Sequence, residues 1–428
     1  MNVCLITCGQ IGSNPRIVKE AQALHDAGMR VVVIATRVLD SVEPRDQSIL
    51  REAPYQIERI DLRSKFQWRL RRFGQIAAGA VEASFQSGAL AARAFSPFTP
   101  ALVAAARRVR ADLYVAHYPP ALPAAVAAAR RHHARHAFDA EDFHLGDWPS
   151  DAAHDRQRDR LRAIEASALR QSAYVTAASP GIADAYAEAY RIARPHVVLN
   201  AFSPPRAGAG PTPCGSAAPG PSLYWFSQVI GPNRGLECAV RAIGRARTRP
   251  HLYLRGDIAD GFAQTLQALA SEVGAEGRVH CLPPEAPEAM ERLASVYDVG
   301  LCSEPGHTPN NDLALSNKLF TYLIAGIPPL MSATTGQRGF ANESGLADWL
   351  YPVGDADALA LLIDGLLGDP ARLASARAKV WRLSRERYNW ETQRAALIDA
   401  VTQALGAGGS ALAGAEVRPR DAAAIASP

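Results

Sequence analysis

The sequence of 428 residues is poor in cysteine, and its six cysteines form no pattern typical of a disulfide framework or a metal site. There is no C-x-x-C pair, and no Cys/His cluster has the spacing that zinc sites use. The cysteines are scattered, mostly in apolar strand-like segments such as VHCL and VGLCS. We therefore expect reduced, buried thiols in a cytoplasmic protein that has no metal site.

Long apolar runs are missing as well. No segment approaches the about 20 consecutive apolar residues that a membrane-spanning helix needs. The N-terminal segment MNVCLITCGQIG has no basic stretch and breaks at Gly9, so we expect a first strand there and not a signal peptide. The net charge of +4 is small for this length, which argues against a general nucleic-acid-binding protein.

Several nucleotide and hydrolase motifs are also absent. Without a G-x-x-x-x-G-K-[ST] segment, phosphoryl transfer from ATP is not expected, and without G-x-S-x-G the usual α/β-hydrolase is excluded. The first loop, CGQIGSNPR, offers Gly9 and Gly12 but lacks the third glycine of the dinucleotide fingerprint. No acidic residue ends the following segment VVVIATR, where a ribose-binding carboxylate would stand, so an NAD site is not expected.

The chain does contain an alternation of strand-like and helix-like segments along most of its length, which predicts βαβ units and parallel sheets. The alternation stops at AFSPPRAGAGPTPCGSAAPGPS, a segment of small residues and proline that is typical of a linker, and restarts at LYWFS. We predict a first α/β domain at 1–200, a linker at 201–221 and a second α/β domain at 222–387. A helix at 388–405 and a disordered tail at 406–428 would complete the chain.

The segment SNKLFTYLIAGIPPL (316–330) predicts a helix that Ser316 and Asn317 open and Gly326 closes, followed by a strand. Lys318 would lie in the first turn, where the helix dipole favours an anion and not a cation. Either Lys318 extends to solvent, or an anion shares the site.

A second cation occurs at a similar place in the same predicted domain. Arg234 and Gly235 stand at the start of the helix that follows LYWFS. An ordinary salt bridge would explain Arg234 alone. Two cations and two helix N-termini at the ends of neighbouring strands suit a diphosphate better.

Taken together, these segments resemble family 4 glycosyltransferases of the GT-B fold. SNKLFTYLIAGIPPL resembles the family segment P-N-K-L-F-E-Y-L-x-A-G-x-P-V, and GPNRGLECAVRAI is similar to its R-G-L-E turn. In the first half, ADLYVAHYPPALPAA resembles the D-x-x-x-x-H loop and FDAEDFH the D-A-H-E loop. The resemblance implies two Rossmann-like domains with parallel sheets facing a cleft, and a last helix, beginning near YNWE, that returns to the first domain.

The resemblance also implies a function. The second domain would bind a UDP- or GDP-linked sugar, the first a glycan or lipid-linked acceptor, and transfer would proceed with retention and without metal or another cofactor. Arg234 and Lys318 would neutralise the donor diphosphate, and His117 would face the donor sugar from the first domain. The remaining donor-site residues would be Ser316, Asn317, Gly235 and Gly256.

The sequence departs from the family at two donor positions. Thr321 and Leu313 stand where many members have the glutamates of an E-x7-E pair, so donor affinity or identity is in question. Thr321 stays a donor-site candidate, because its hydroxyl can still bond to a ligand. Glu304 and Asp312 have the same spacing but lie out of register, so we treat them as loop residues, with Glu304 as a possible contact to the sugar.

The acceptor site has its own departure, because Glu141 replaces a family histidine in FDAEDFH. The acceptor-site candidates are Gly9, Gly12, Asp139, Glu141 and Asp142.

The segment LRSKFQWRLRRF (62–73) interleaves arginine and lysine with aromatic residues. A solvated basic helix face is the commoner meaning of such a run. For a transferase that acts on a lipid-linked acceptor, docking on anionic lipid headgroups is an equal alternative. We therefore expect a cytoplasmic glycosyltransferase of bacterial surface polysaccharide or glycoconjugate assembly, with peripheral attachment to the inner face of the plasma membrane as an option. The alternative is a catalytically silent GT-B protein that binds a glycan or a partner.

Overall fold

Two parallel sheets organise the chain. The structure, a computed structural model, describes residues 1–82, 88–149, 151–203 and 219–406. Most of the predicted linker and all of the predicted tail beyond Gly406 lie outside these residues. Within them, the first sheet has the strand order β3-β2-β1-β4-β5-β6-β7 and the second the order β10-β9-β8-β11-β12-β13.

The strands of the first sheet pair in parallel register, for example Leu5 with Val33 on one side and with Val115 on the other. Its strands are β1 (Asn2–Thr7), β2 (Arg30–Arg37), β3 (Gln56–Asp61), β4 (Leu113–His117), β5 (Arg135–Ala140), β6 (Val175–Ala177) and β7 (His196–Val197). Those of the second sheet are β8 (Ser222–Ile230), β9 (His251–Ile258), β10 (Val279–Leu282), β11 (Val299–Cys302), β12 (Pro329–Ser332) and β13 (Leu350–Tyr351).

Helices connect the strands and cover the sheets. Those of the first half are α1 (Pro15–Asp26), α2 (Glu43–Glu52), α3 (Lys65–Glu82), α4 (Gly88–Phe95), α5 (Thr99–Ala106), α6 (Leu122–His132), α7 (Asp155–Arg170) and α8 (Pro180–Tyr190). Those of the second half are α9 (Leu236–Arg245), α10 (Phe262–Glu272), α11 (Met290–Ala294), α12 (Pro309–Leu313), α13 (Asn317–Ala325), α14 (Thr335–Ser344), α15 (Ala356–Leu367), α16 (Pro370–Glu386) and α17 (Trp390–Leu405).

Local sequence explains where α1 begins and why β1 is buried. The Asn14 side chain accepts a hydrogen bond from Ile17 N at 3.2 Å, and Pro15 supplies the preset backbone angle of the first turn. Strand β1 is buried between helices on both faces, and Val3 and Leu5 are fully enclosed. A strand buried on both faces reads as a continuous apolar run, as VCLI does. The predicted α/β architecture with two parallel sheets is confirmed.

Helix α17 returns to the first domain, as the resemblance implied. Leu397 and Val401 pack in the same core as Val3 and Leu5 of β1. Trp390 N donates to Phe202 O at 2.7 Å, so the helix is fixed from its first residue.

Direct contacts also join the two domains beside the cleft. Asn310 of α12 accepts from Phe143 N at 2.8 Å through its side-chain oxygen, and its amide donates to Asp142 at 3.0 Å and Asp147 at 2.9 Å. The Ser179 hydroxyl donates to Leu313 O at 2.8 Å. Asp142, an acceptor-site candidate, is therefore bonded across the domain boundary.

None of the described helices could by itself cross a membrane, judged by length and hydropathy. The pair α4 and α5, bent by 115° relative to each other, meets that criterion only when the two are taken together.

Candidate active site

The strand orders locate the crevice in each sheet. The order reverses between β1 and β4 in the first sheet and between β8 and β11 in the second. Open parallel sheets bind ligands beyond the carboxyl ends of the strands at such a reversal. The loops concerned are 8–14 and the one after His117 in the first domain, and 231–235 and the one after Cys302 in the second. Several sequence-predicted site residues lie in or beside these loops.

Lys318 lies in the first turn of α13, but it does not extend to solvent. Its residue is 8% exposed, its Nζ is 2.8 Å from Glu304 Oε1, and it lies 5.4 Å from the centroid of the Trp225 ring. Helix α13 follows Ser316 and ends at Gly326 in the left-handed conformation, as its sequence predicts. The anion expected near Lys318 is therefore present within the chain, as the carboxylate of Glu304.

The Glu304 carboxylate is held from several sides. Burial alone would raise its pKa, but the Lys318 ammonium and hydrogen bonds from Lys318, Asn311 and Ser316 outweigh burial and lower it. Glu304 is thus ionised, and it forms a buried ion pair of no net charge at the end of β11. Asp312, which has the spacing to pair with it, instead accepts from Thr335 N at 3.0 Å, at the start of α14.

Arg234 reaches the same strand end from the loop after β8. The Ser303 hydroxyl donates to Arg234 O at 2.8 Å, and Ser303 directly precedes Glu304. The Arg234 side chain is exposed, and among the described residues no carboxylate forms an ion pair with it. An ordinary salt bridge therefore does not account for Arg234, and its charge is available at the crevice.

Two glycines of the predicted donor site allow backbones to approach closely. Gly235 has φ +70°, and a Cβ there would lie 2.2 Å from Ser303 O. Gly256 has φ +150°, and its Cβ would lie 2.3 Å from Ser227 O, beside the register shift between β8 and β9. Only glycine fits either position without displacing backbone. Both glycines therefore shape the loops at the mouth of the second sheet.

Thr321 and Leu313, which occupy the expected glutamate positions, are used otherwise. Thr321 is 3% exposed, and its hydroxyl donates to Asn317 O one turn earlier in α13, at 3.0 Å. Leu313 packs against the first domain, and a Cβ on Gly181 would lie 3.1 Å from its side chain. In this conformation neither side chain presents a polar group to the cleft. A donor-binding role for Thr321 stays a prediction.

The candidates of the first domain converge on a buried ionic cluster. Arg16 bonds both oxygens of Asp139 at 2.7 Å, and the Thr176 hydroxyl donates to the same carboxylate at 2.6 Å. The His117 ring lies between two carboxylates, with Nε2 3.0 Å from Glu20 and Nδ1 3.2 Å from Asp139. Each of the four ionisable residues is at most 3% exposed.

This environment determines the charge of His117. Burial lowers its pKa, but the carboxylates of Glu20 and Asp139 outweigh burial and raise the pKa to about 10. The cluster thus balances two cations against two anions. His117 and Asp139 were expected to face the donor and the acceptor, but here both are enclosed and bonded within the fold. Their roles toward a ligand stay predictions that require the cluster to rearrange.

Within the described residues, Glu20, His117 and Asp139 form the group whose ligand atoms lie close enough to hold a metal ion, within 4.8 Å of one another. Arg16 already occupies both oxygens of Asp139. A divalent cation would therefore meet a guanidinium at its binding carboxylate. The cluster suits a set of ion pairs better than a metal site.

Glu141 belongs to a second, half-buried polar group that borders the cleft. It accepts from the Tyr118 hydroxyl and from the Asn200 amide, each at 3.1 Å. Lys19 donates to Asn200 at 2.8 Å, and burial together with Arg16 lowers its pKa to about 7. Tyr118 adopts φ 68°, a strained conformation for a bulky residue and one that occurs often at functional sites. The sequence analysis missed Lys19, Tyr118 and Asn200, although Tyr118 directly follows the histidine of the D-x-x-x-x-H loop.

The glycine loop after β1 is fixed by a buried carboxylate that sequence reasoning also missed. Gly12 N donates to Asp46 at 2.8 Å, and Gln10 donates to the same carboxylate at 3.1 Å. A Cβ on Gly12 would lie 2.8 Å from that carboxylate, whereas Gly9 has more space. Gly9 N donates to the Thr7 hydroxyl at 3.1 Å. Hydrogen bonds to Asp46 and Thr7 thus hold the loop, and its contact with an acceptor stays a prediction.

Comparisons with solved structures agree with this architecture. The Anabaena protein HepE in complex with UDP and glucose superposes with a TM-score of 0.65 at 15% identity, over 94% of this chain and 100% of that one. Sucrose-phosphate synthase from Thermosynechococcus elongatus superposes with a TM-score of 0.64 at 16% identity, over 95% and 100%. At such low identity these likenesses establish the fold.

Comparisons of sequence match part of the chain to glycosyltransferases. A D-inositol 3-phosphate glycosyltransferase of Rhodococcus opacus (strain B4) is 30% identical over 156 residues, which cover 36% of this chain and 33% of that protein. The match thus spans about a third of the relative's own length. The family model of the glycosyl transferase 4-like domain matches residues 12–201. Residues 12–201 are therefore similar to the glycosyl transferase 4-like domain, and the two domains together have the GT-B fold.

Proposed function

We propose that this protein transfers a glycosyl group from a UDP- or GDP-linked sugar to a glycan or lipid-linked acceptor. The observation that carries the proposal is the arrangement at the end of β11. A buried Lys318–Glu304 pair lies at the N-terminus of α13, and Arg234, which forms no ion pair with any described residue, lies on the adjoining loop. The comparisons support a nucleotide-sugar donor, since HepE is described in complex with UDP and glucose.

The charges suggest how a donor would be received. Arg234, which forms no ion pair with any described residue, attracts the diphosphate first, together with the N-terminus of α13. The diphosphate then competes with Glu304 for Lys318. Once displaced, the Glu304 carboxylate can accept hydrogen bonds from the sugar hydroxyls. Lys318 would then bind the diphosphate of the donor, and Glu304 would bind its sugar.

The reaction breaks the bond between the anomeric carbon and the diphosphate oxygen, and both bonding electrons stay on that oxygen. The acceptor hydroxyl oxygen forms the new bond to the same carbon, and its proton passes to the departing diphosphate. Fixed cations next to the leaving oxygens stabilise this charge as it develops. Lys318 and Arg234 supply these cations, so transfer needs no metal. We propose that the acceptor attacks the anomeric carbon from the face that the diphosphate leaves. The configuration at that carbon is then retained.

On the acceptor side, Glu141 with Tyr118 and Asn200 is the polar group best placed to bind hydroxyls. Its carboxylate lies beyond the end of β5, and burial raises its pKa despite the nearby Arg16. A carboxyl group of this kind can bond to a sugar hydroxyl in either protonation state. Surface polysaccharide or glycoconjugate assembly in the cytoplasm would use such a transferase.

The test is a panel of UDP- and GDP-sugars. Thermal unfolding with each sugar measures binding, and release of the nucleoside diphosphate with and without simple glycan acceptors measures turnover. We expect one donor to raise the unfolding temperature and Lys318→Ala to abolish turnover. Unchanged turnover in that variant would refute the assignment of the diphosphate site.

A second candidate is a GT-B protein that binds a glycan or a partner without catalysis. The favouring observation is that Thr321 and Leu313 present no carboxylate where a donor ribose would lie, while Glu304 already neutralises Lys318. If no nucleotide sugar stabilises the protein, this candidate replaces the first.

A further inference from the structure

The outer surface of α3 exposes an unusual amount of apolar side chain. Phe66 is 71% exposed, Phe73 72%, Leu70 56% and Ile76 60%. Phe66, Leu70 and Phe73 are spaced four and three residues apart, so they form one row along the helix. Isolated exposed apolar residues are ordinary, but a continuous row of them marks an interaction surface.

Polar side chains fix the inner side of the same helix to the protein. Gln75 donates to Ala94 O at 3.0 Å and to Phe95 O at 3.1 Å, and Glu82 pairs with Arg160 at 2.6 Å. Ala78 and Gly79 are buried on this side. A surface helix of a soluble protein normally turns its apolar residues inward, as α3 does with Trp68, whose ring lies 5.8 Å from that of Phe98. The row of Phe66, Leu70 and Phe73 is a second apolar stripe that stays outside. Its inner hydrogen bonds keep the apolar row directed outward.

A row of cations runs beside the apolar row. Lys65, Arg69 and Arg72 have the same spacing of four and three residues and are exposed. Glu82 is the one acidic residue within α3, and it is engaged by Arg160. No ion pair within the described residues therefore neutralises Lys65, Arg69 or Arg72.

This combination selects one kind of partner. In a symmetric dimer formed through this face, the cationic row of one copy would lie close to that of the other, which is unfavourable. An anionic bilayer accepts apolar side chains below its headgroups and attracts cations at their level. We propose that the outer face of α3 docks on an anionic lipid surface. The proposal goes beyond glycosyl transfer and does not depend on it.

The position of α3 makes such docking relevant to the cleft. Strand β3 ends at Asp61, and α3 begins at Lys65, so the helix starts at the same edge of the first sheet as the loops of the crevice. Within the segment 62–73, the residues from Lys65 onward lie on α3 and carry both rows.

The test is flotation of the full chain with phosphatidylcholine vesicles, with and without phosphatidylglycerol, at low and high salt. We expect binding to the anionic vesicles alone, weakened by salt. The triple variant Phe66→Ser, Leu70→Ser, Phe73→Ser should no longer float. The double variant Lys65→Gln, Arg69→Gln loses two cations. Each loss should lower the partition coefficient between anionic vesicles and water about fivefold.

A matched control replaces an exposed apolar residue and an exposed arginine outside α3. Leu361 of α15 is 69% exposed, and Arg382 of α16 is exposed too, so Leu361→Ser with Arg382→Gln should bind vesicles like the parent protein. Failure of the parent protein to bind anionic vesicles would overturn the proposal. Equal binding by the α3 variants and the control would do the same, and so would a dimer in sedimentation that the triple variant dissociates.

Discussion

Lys318 Nζ and Glu304 Oε1 lie 2.8 Å apart at the N-terminus of α13, and both residues are less than a tenth exposed. A cation in the first turn of a helix opposes the dipole, so the pair stays there only because each charge compensates the other. Breaking one half of a buried ion pair is costly, whereas removing both halves often is not. This asymmetry separates the structural role of the pair from its role toward a donor.

The first prediction uses that asymmetry. Lys318→Met should destabilise the folded state by about 3 to 5 kcal/mol, because Glu304 would be left buried without its partner. The double variant Lys318→Met with Glu304→Gln should recover most of that loss. Both variants should lack transferase activity and bind UDP weakly, since the cation is absent in each. Denaturant unfolding and calorimetric titration with UDP measure the two effects.

A double variant that regained UDP binding together with stability would show that Lys318 serves the fold alone. Glu304→Gln by itself is the informative single variant. It keeps the cation, so UDP should bind at least as tightly as before, while transfer should fall if Glu304 holds the sugar.

The second prediction concerns Arg234, whose side chain is exposed and forms no ion pair with any described residue. Arg234→Ala should leave the free energy of unfolding within about 0.5 kcal/mol of the parent value, as surface substitutions usually do. Loss of one charge-assisted bond to the diphosphate should weaken UDP binding about tenfold. Arg382→Ala, an exposed arginine of the same domain, is the matched control and should change neither quantity. Equal UDP affinity in the two variants would contradict the placement of the donor.

Much of the fold could be predicted because it rests on local patterns. The alternation of apolar segments and helical periods specifies two parallel sheets, the start of α1 follows from the cap that Asn14 provides, and the end of α13 follows from Gly326. Strand β3 was missed because its sequence, QIERID, lies at the sheet edge and is only partly buried, so it has no continuous apolar run.

The candidate site was harder to predict, because its contacts join residues far apart in the chain. Arg16 and Asp139 are separated by 123 positions, and nothing near Asp139 indicates that a guanidinium occupies it. Glu304 was placed in a loop because it is out of register with the family pattern, yet the fold brings its carboxylate to Lys318. Alignment with a family motif compares positions along the chain. It does not show which side chains the fold brings into contact, as it does with Glu304 and Lys318.

The third prediction separates a steric clash from an unfavourable backbone angle. Gly235 and Gly261 precede α9 and α10 with φ +70° and +74°, but only Gly235 faces backbone, since nothing lies within 4 Å of a Cβ on Gly261. Gly261→Ala should cost about 1 kcal/mol for the left-handed angle alone. Gly235→Ala should cost clearly more, because its Cβ would meet Ser303 O, and it should also weaken UDP binding by displacing Arg234. Equal losses of stability in the two variants would show that the loop can yield without disturbing β11.

The fourth prediction concerns Glu165, which is fully buried in the first domain and accepts from the hydroxyls of Tyr186 and Tyr190. Burial outweighs these bonds and raises its pKa from 4.5 to about 7. Between these values the unfolded chain releases the proton and the folded chain keeps it, so stability falls as pH rises through this window. The loss reaches about 3 kcal/mol near pH 7 and is absent below pH 4.5, where both states are protonated.

Glu165→Gln cannot ionise, so its stability relative to the parent protein should rise by that amount from pH 4.5 to 7.5. Urea unfolding at several pH values measures the difference, and Glu188→Gln, an exposed glutamate of α8, should show no such trend. A difference between Glu165→Gln and the parent that stays constant with pH would mean that folding leaves the pKa of Glu165 unchanged.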